Sequence, residues 1–307
     1  MPIALCVLGM VLVGSSVAVS QLLLDYPMLT GQALRYAAAS LALFAISRLF
    51  PGFGSGVNCG TGRTPRARPT ARELGILTAL AATGMASFNA CVMVGLRHAD
   101  PAVIGTVVGA APLGLALLGP MLRGVRPTAR VVAAAAVVVA GTALVEGTGR
   151  ADVIGLLAAT GALAGEVAFT LLAAAVLSSL GAVRVAAWSS ALAVPLLVAG
   201  GWATGEAHAV RMPTPTEVGA LAYLAGLMTV AAFVVWFVGL QRLGVERAGM
   251  IVGVMPIATL TTASVMAGQL PRSGQALGVL TVAAGLALGL TAGSRRLPAV
   301  AEPVSAG

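Results

Sequence analysis

Ten runs of mainly apolar residues, separated by short polar breaks, leave this chain one environment to fold in. The runs fall near 3–24, 29–49, 73–95, 101–122 and 129–146, then near 152–177, 183–204, 217–240, 248–268 and 272–292. A helix needs about 20 such residues to cross the hydrocarbon core, and a spanning chain must satisfy its own backbone polar groups there. Composition agrees: 58% of residues are hydrophobic, 9% are charged, and mean hydropathy is +0.98. A water-soluble domain carries about a quarter charged residues. Ala, Gly, Val and Leu dominate while aromatics stand at 4%, and small residues are what closely approaching membrane helices require. The expected fold is therefore an all-α integral membrane protein of ten transmembrane helices embedded in a lipid bilayer. The run 3–24 is read as a span and not a cleaved signal, since no basic residue precedes it and it is long enough to cross.

The charge balance is a statement about topology. All 18 basic residues are Arg, against 10 acidic ones, and the pI is near 10.9. Such a pI suits a nucleic-acid binder, but the Arg residues lie scattered in the breaks between apolar runs. No basic patch with interleaved aromatics is present, so no nucleic-acid partner is expected. With the N-terminus inside, the inner breaks hold Arg48, Arg63, Arg66, Arg68, Arg72, Arg123, Arg126, Arg130, Arg184, Arg242, Arg247, Arg295 and Arg296. The outer ones hold Arg35, Arg97, Arg150, Arg211 and Arg272. That split of 13 to 5 predicts a multi-pass protein of the plasma (inner) membrane with both termini cytoplasmic. The 50–72 break, rich in Gly, Pro and Arg, reads as a solvated connector, and the tail after Arg296 as disordered. Cys6, Cys59 and Cys91 form neither a disulfide framework nor a metal-ligand spacing.

The chain also repeats itself. Shifted by 144 residues, Val94-Gly95-Leu96 falls on Val238-Gly239-Leu240, and Gly105, Val108, Gly109 and Pro112 fall without a gap on Gly249, Val252, Gly253 and Pro256. Over residues 73–145, 19 of 73 positions are identical. Arg35-Tyr36-Ala37-Ala38-Ala39-Ser40 stands in the same relation to Arg184-Val185-Ala186-Ala187-Trp188-Ser189, at a slightly different offset. Two five-helix repeats are expected, 1–147 and 148–294, followed by a cytoplasmic tail, 295–307. Five is odd, so the second repeat enters the membrane inverted. Inverted repeats are the architecture of alternating-access transporters, with the substrate site near the midplane where the halves meet.

Three stretches carry a family resemblance: VGLRHADPAVIGTVVGAAPLGLALLGPMLRGVRPT (94–128), WFVGLQRLGVERAGMIVGVMPIATLTTASVMAGQLPRSG (236–274), and the beginning from Gly14 to Leu43. The chain resembles an EamA-type member of the drug/metabolite transporter superfamily over nearly its whole length. The resemblance implies a ten-helix inverted-repeat fold that exports, or sometimes takes up, amino acids, other metabolites or drugs. It implies that helices 1–4 and 6–9 line the cavity while 5 and 10 support it. The chain departs from the pattern at Pro101, where small polar residues are commoner. It also lacks the acidic residue that usually closes the fourth helix, and its second repeat reads Gly268-Gln269 there. Substrate identity therefore does not carry over.

Glu166 is the one acidic residue in the middle of a span, where a carboxylate costs about 2.5–3.5 kcal/mol on an insertion scale. It is read either as a cavity group that binds a substrate amine or carries a proton, or as a protonated residue bonded to a neighbouring helix. Thr170, one turn on, shares its face. Low dielectric disfavours the charged form of a carboxyl, which suits a proton carrier. Asn89 and Ser16 are candidates for the substrate path, with Thr83, Ser87 and Ser20 near them; the alternative for the hydroxyls is interhelical bonding. Tyr223 and Trp236, in the aromatic-rich eighth helix, are candidates for stacking on a substrate, and Phe233 and Phe237 for stacking or packing. Pro112 and Pro256, each three residues after a glycine, Gly109 and Gly253, read as paired kinks for gating or for static packing. Pro195 has no mate and reads as plain. Arg35 and Arg184 would attract anionic or zwitterionic substrates at the two cavity mouths, or snorkel as anchors.

No phosphate-binding loop is present and no Lys at all, so a nucleotide-driven pump is not expected. His98 and His208 sit in loops of opposite halves, far from any acidic cluster, and neither metal nor cofactor is expected. The reading is a secondary transporter, an exporter of small amino-acid-like or drug-like metabolites by alternating access, with proton coupling as an option and room for a homodimer. The alternatives are a polytopic membrane enzyme, for which no catalytic cluster is found, and a non-transporting scaffold, for which the long partner-binding loops are missing.

Overall fold

The structure is a computed structural model that describes residues 2–23, 25–50, 68–147, 149–268 and 270–291. Much of the 50–72 connector, Cys59, Gln269 and the tail lie outside the described residues. Ten helical rods can be followed among them: α1 (Pro2–Ser20), α2 (Met28–Leu49), α3 (Ala71–His98), α4 (Pro101–Met121), α5 (Ala129–Glu146), α6 (Val153–Leu180), α7 (Ala182–Ala203), α8 (Pro215–Leu243), α9 (Val245–Ile251 and Val254–Ala267) and α10 (Ser273–Thr291). Eight of them are each long and apolar enough to cross a membrane; the exceptions are α1 and the two short pieces of α9. No strand occurs among the described residues, only one isolated bridge between Ala99 and Ala151.

Matching local structure occurs about 144 residues apart. Helices α3 and α8 each start on a capping box, Thr70 with Glu73 and Thr214 with Glu217, where hydroxyl and carboxylate satisfy each other's free backbone N–H groups. Each then loosens into π turns at matching positions, Ala81–Ser87 and Leu224–Ala231. Helix α4 breaks at Gly109–Ala110, between Pro101–Val108 and Ala111–Met121, and α9 breaks at Val252–Gly253. Pro112 and Pro256 stand just after these breaks, in the first turn of the following piece, where a missing N–H costs nothing. Both rods close on a glycine with positive φ, Gly124 (70°) and Gly268 (63°), a conformation open to glycine without the Cβ clash.

Packing crosses between the halves. Helix α1 packs on α8 and α9, α6 on α3 and α4, α2 on α7, and α5 on α10. Two three-helix groups result, α1/α8/α9 and α3/α4/α6. Close approach depends on missing side chains: a Cβ on Gly14 would lie 2.5 Å from the Met255 carbonyl oxygen, and one on Gly84 2.5 Å from Phe169 Cβ. Between α5 and α10, a Cβ on Gly141 would meet the Val282 nitrogen at 2.6 Å, and one on its repeat mate Gly285 the Val138 nitrogen at 2.9 Å. Without water to drive association, such contact is the main source of helix affinity in a bilayer.

Candidate functional site

The relation of α4 to α9 defines the site. The second piece of α4 packs on the first piece of α9, with Leu115 against Gly249. The first piece of α4 lies instead on α6 and α5, and the second piece of α9 on α1 and α5. Among the described residues those two outer pieces make no substantial contact with each other. The rods therefore converge at one end of the bundle and diverge toward the other. At the closed end an ion pair joins Arg123, just after α4, to Glu246, at the start of α9. Deeper in, Phe169 of α6 packs against Phe233 and Phe237 of α8, with ring centroids 5.4 and 5.6 Å away. Phe233 and Phe237 thus serve as packing between the two three-helix groups.

Glu166 sits halfway along α6. Ala159, Ala162, Thr170 and Ala173 share its stripe and are completely buried, yet Glu166 is only half-buried. On the helix circumference it lies between Gly165, which faces Thr83 and Phe88 of α3, and Val167, which faces Gly114 of α4. Its carboxylate has no hydrogen-bond or ion-pair partner among the described residues, and the buried Thr170 hydroxyl has none either. Two unspent polar groups one turn apart, next to the broken α4, are what a binding or proton-carrying position needs.

Other expected residues are placed differently. The Asn89 amide donates to the Met85 carbonyl at 2.6 Å within the π region of α3, and the Ser16 hydroxyl to Val13 at 2.7 Å. Both side chains are buried and engaged with their own helices. Trp236 is buried against Gly9 of α1, and Tyr223 is half-buried at the edge of the π stretch of α8. Gly109 and Gly253 have a second duty besides the breaks: a Cβ on either would come within 2.3 Å of α5, at Thr142 and Val138 respectively. Arg184 is half-buried at the start of α7. Arg35 does not snorkel. It is 5% exposed, and its guanidinium turns inward to the Tyr36 hydroxyl (2.6 Å) and the Met228 sulfur (3.3 Å).

The diverging end carries polar ties that sequence reading missed. His98 Nδ1 lies 2.8 Å from Asp152, although 54 residues separate them. Asp100 and Arg150 exchange backbone and carboxylate hydrogen bonds beside them. The Gly155 N–H and the His98 ring hold the Asp152 carboxyl below its ordinary value of 3.8. Glu206 reaches across to cap α2, accepting from the Leu29 and Thr30 amides. Among the described residues no group of three or more His, Cys, Asp or Glu is placed to hold a metal.

This is the fold of a multi-pass helical membrane protein with two broken central helices, and comparison with known proteins agrees. The EamA-like transporter family matches residues 1–147 and 153–291, and the chain belongs to that family. An uncharacterized transporter, YetK of Bacillus subtilis (strain 168), is 21% identical over 270 residues, covering 84% of this chain and 77% of that protein. A solved crystal structure superposes with a TM-score of 0.76 at 18% identity, covering 95% of this chain and 96% of that one. The protein is a membrane transporter.

Proposed function

We propose that this transporter carries small molecules by alternating access, the α3/α4/α6 group moving against α1/α8/α9. The observation that carries the reading is the one-sided packing of α4 on α9, closed at the Arg123–Glu246 end and parted at the other. Broken helices with repeated hinge positions can exchange which end is closed, and a site between them is then exposed to each side in turn. The ten rods are read as ten spans, in two inverted repeats of residues 1–147 and 148–294. With both termini and the Arg123–Glu246 end on the cytoplasmic side, as the Arg bias favours, the parted end of α4 and α9 faces outward. The plasma membrane and export are the remaining parts of this reading.

Glu166 is the coupling group. It is titratable, midway along its span and without a partner among the described residues, and it lies between the faces of α6 turned to α3 and to the broken α4. Protonation from one side and release to the other couples substrate movement to the proton gradient. The test is flux into liposomes under an imposed pH gradient. Wild-type protein accumulates substrate, and Glu166→Gln abolishes pH-driven accumulation while retaining exchange. Unchanged pH dependence in Glu166→Gln places coupling elsewhere. Reporter fusions at Gly60 and Gly205 should report opposite sides of the membrane; the same side from both would defeat the topology.

A further inference from the structure

The contact between α2 and the π stretch of α8 encloses a cation with no anion. The Arg35 guanidinium lies 4.4 Å from the Tyr36 ring centre, donates to that residue's hydroxyl, and points a second nitrogen at the Met228 thioether. A guanidinium offers five donors in a planar fork, yet none of these partners carries negative charge. Its Nε is buried without any partner among the described residues. One turn earlier, the Gln32 side-chain oxygen is also buried and without a partner. Gln32, Arg35 and Tyr36 lie on the face of α2 that turns from the membrane into the bundle, with Ala39 and Leu43. Arg35 stands seven residues inside α2, about 10 Å from its end at 1.5 Å per residue. Met228 lies near the middle of α8.

Burying a charge without a partner costs several kcal/mol even after relaxation, and this helix offers no compensating carboxylate. A structural cation would be expected to have one, as Arg211 has in Glu217 and Arg123 in Glu246. The π turns matter here. The extra residue widens the turn that faces α2, and such irregular turns recur at functional positions. Arginine's fork matches a carboxylate in two-point contact, and the Gln32 oxygen can accept from a donor beside that carboxylate.

We propose that Arg35, with Tyr36 and Gln32, is the subsite that holds a carboxylate of the transported molecule, Gln32 accepting a hydrogen bond from a neighbouring O–H or N–H of that molecule. The assignment rests on the transport reading and names the chemical class of its substrates. It predicts that removing the guanidinium harms binding and spares the empty protein.

The test uses the purified full chain, first in a thermal-shift panel of 2-hydroxy and 2-amino carboxylates beside their methyl esters, then in counterflow with the acid that shifts most. Acids should raise the Tm while their esters do not. Arg35→Gln should raise the KM for that acid at least tenfold and leave the ligand-free Tm equal to or above wild type. Arg35→Lys should recover part of the affinity. Gln32→Ala keeps the guanidinium and should raise KM about threefold, which keeps the test valid if Arg35→Gln folds poorly. Esters binding as well as acids would overturn the assignment. So would an unchanged KM in Arg35→Gln, or a collapse of ligand-free Arg35→Gln with Gln32→Ala unaffected. If wild-type protein exchanges no compound, the transport reading fails, and the thermal-shift arm still decides whether Arg35 binds carboxylates.

Discussion

Helices α3 and α8 are 144 residues apart in register and begin alike, each on a Thr–Glu capping box, and each opens into π turns ten or eleven residues later. Their side chains tell a different story. Asn89 of α3 is matched by Phe233 of α8, and Met85 by Thr229. Glu73 serves its cap, whereas Glu217 is buried and is also gripped at both oxygens by Arg211. The closed end shows the same divergence. Arg123 and Glu246 pair there, while the residues at the equivalent places, Ala267 and Ala102, offer no charge. The two stretches share the backbone devices that bend, cap and break their helices and differ in side-chain chemistry. In the proposed alternating-access cycle, the Arg123–Glu246 pair that joins α4 to α9 favours closure of its own end. That preference is small, since an exposed pair contributes about 0–1 kcal/mol, which suits a protein that has to open again.

If the backbone devices are what the halves share, breaking them should hurt equally in both. Gly141→Leu and Gly285→Leu should have the largest effect, because the added atoms meet backbone that cannot move aside. Both variants should lose folded protein after detergent extraction, measured by size-exclusion yield. Tolerance of either would show that α5 and α10 do not need their glycine contact. Next in size, Glu217→Gln should lower the Tm more than Glu73→Gln, since Glu217 is buried and held at both oxygens by Arg211 while Glu73 lies at an exposed cap. Equal losses would erase that contrast. Thr70→Ala and Thr214→Ala should each cost about 1 kcal/mol, and a large difference between them would mean that the two boxes are not equivalent.

The smallest effect concerns the diverging end. Asp152 titrates below its ordinary value in the folded protein. Its stabilising contribution is therefore present above about pH 4 and is lost as pH falls through the lower folded value. Asp152→Asn should flatten the acid side of the Tm profile slightly. A flattening on the alkaline side would contradict this assignment.

Much of this was legible in the sequence. The apolar runs located the rods, because length and hydropathy are enough to mark a span. The ungapped Pro and Gly register located both breaks, because those residues act on their own backbone. What escaped was set by distant partners. The π turns have no residue that demands them. The His98–Asp152 pair joins residues 54 positions apart, and the Arg123–Glu246 pair spans 123. Arg35 was read as an interfacial anchor or a mouth charge from its place near a helix start. Only the packing of α2 on α8 shows that its side chain turns inward.

The most direct test of the account is to hold the closed end shut. In a background with Cys6, Cys59 and Cys91 replaced, Arg123→Cys and Glu246→Cys together place two thiols across the contact between α4 and α9. Counterflow in liposomes is measured before oxidation, after disulfide formation, and after reduction. Alternating access predicts that flux stops in the oxidised protein and returns with reductant, while neither single variant responds. Full flux through the cross-linked protein would show that the ends do not exchange, and would contradict the mechanism.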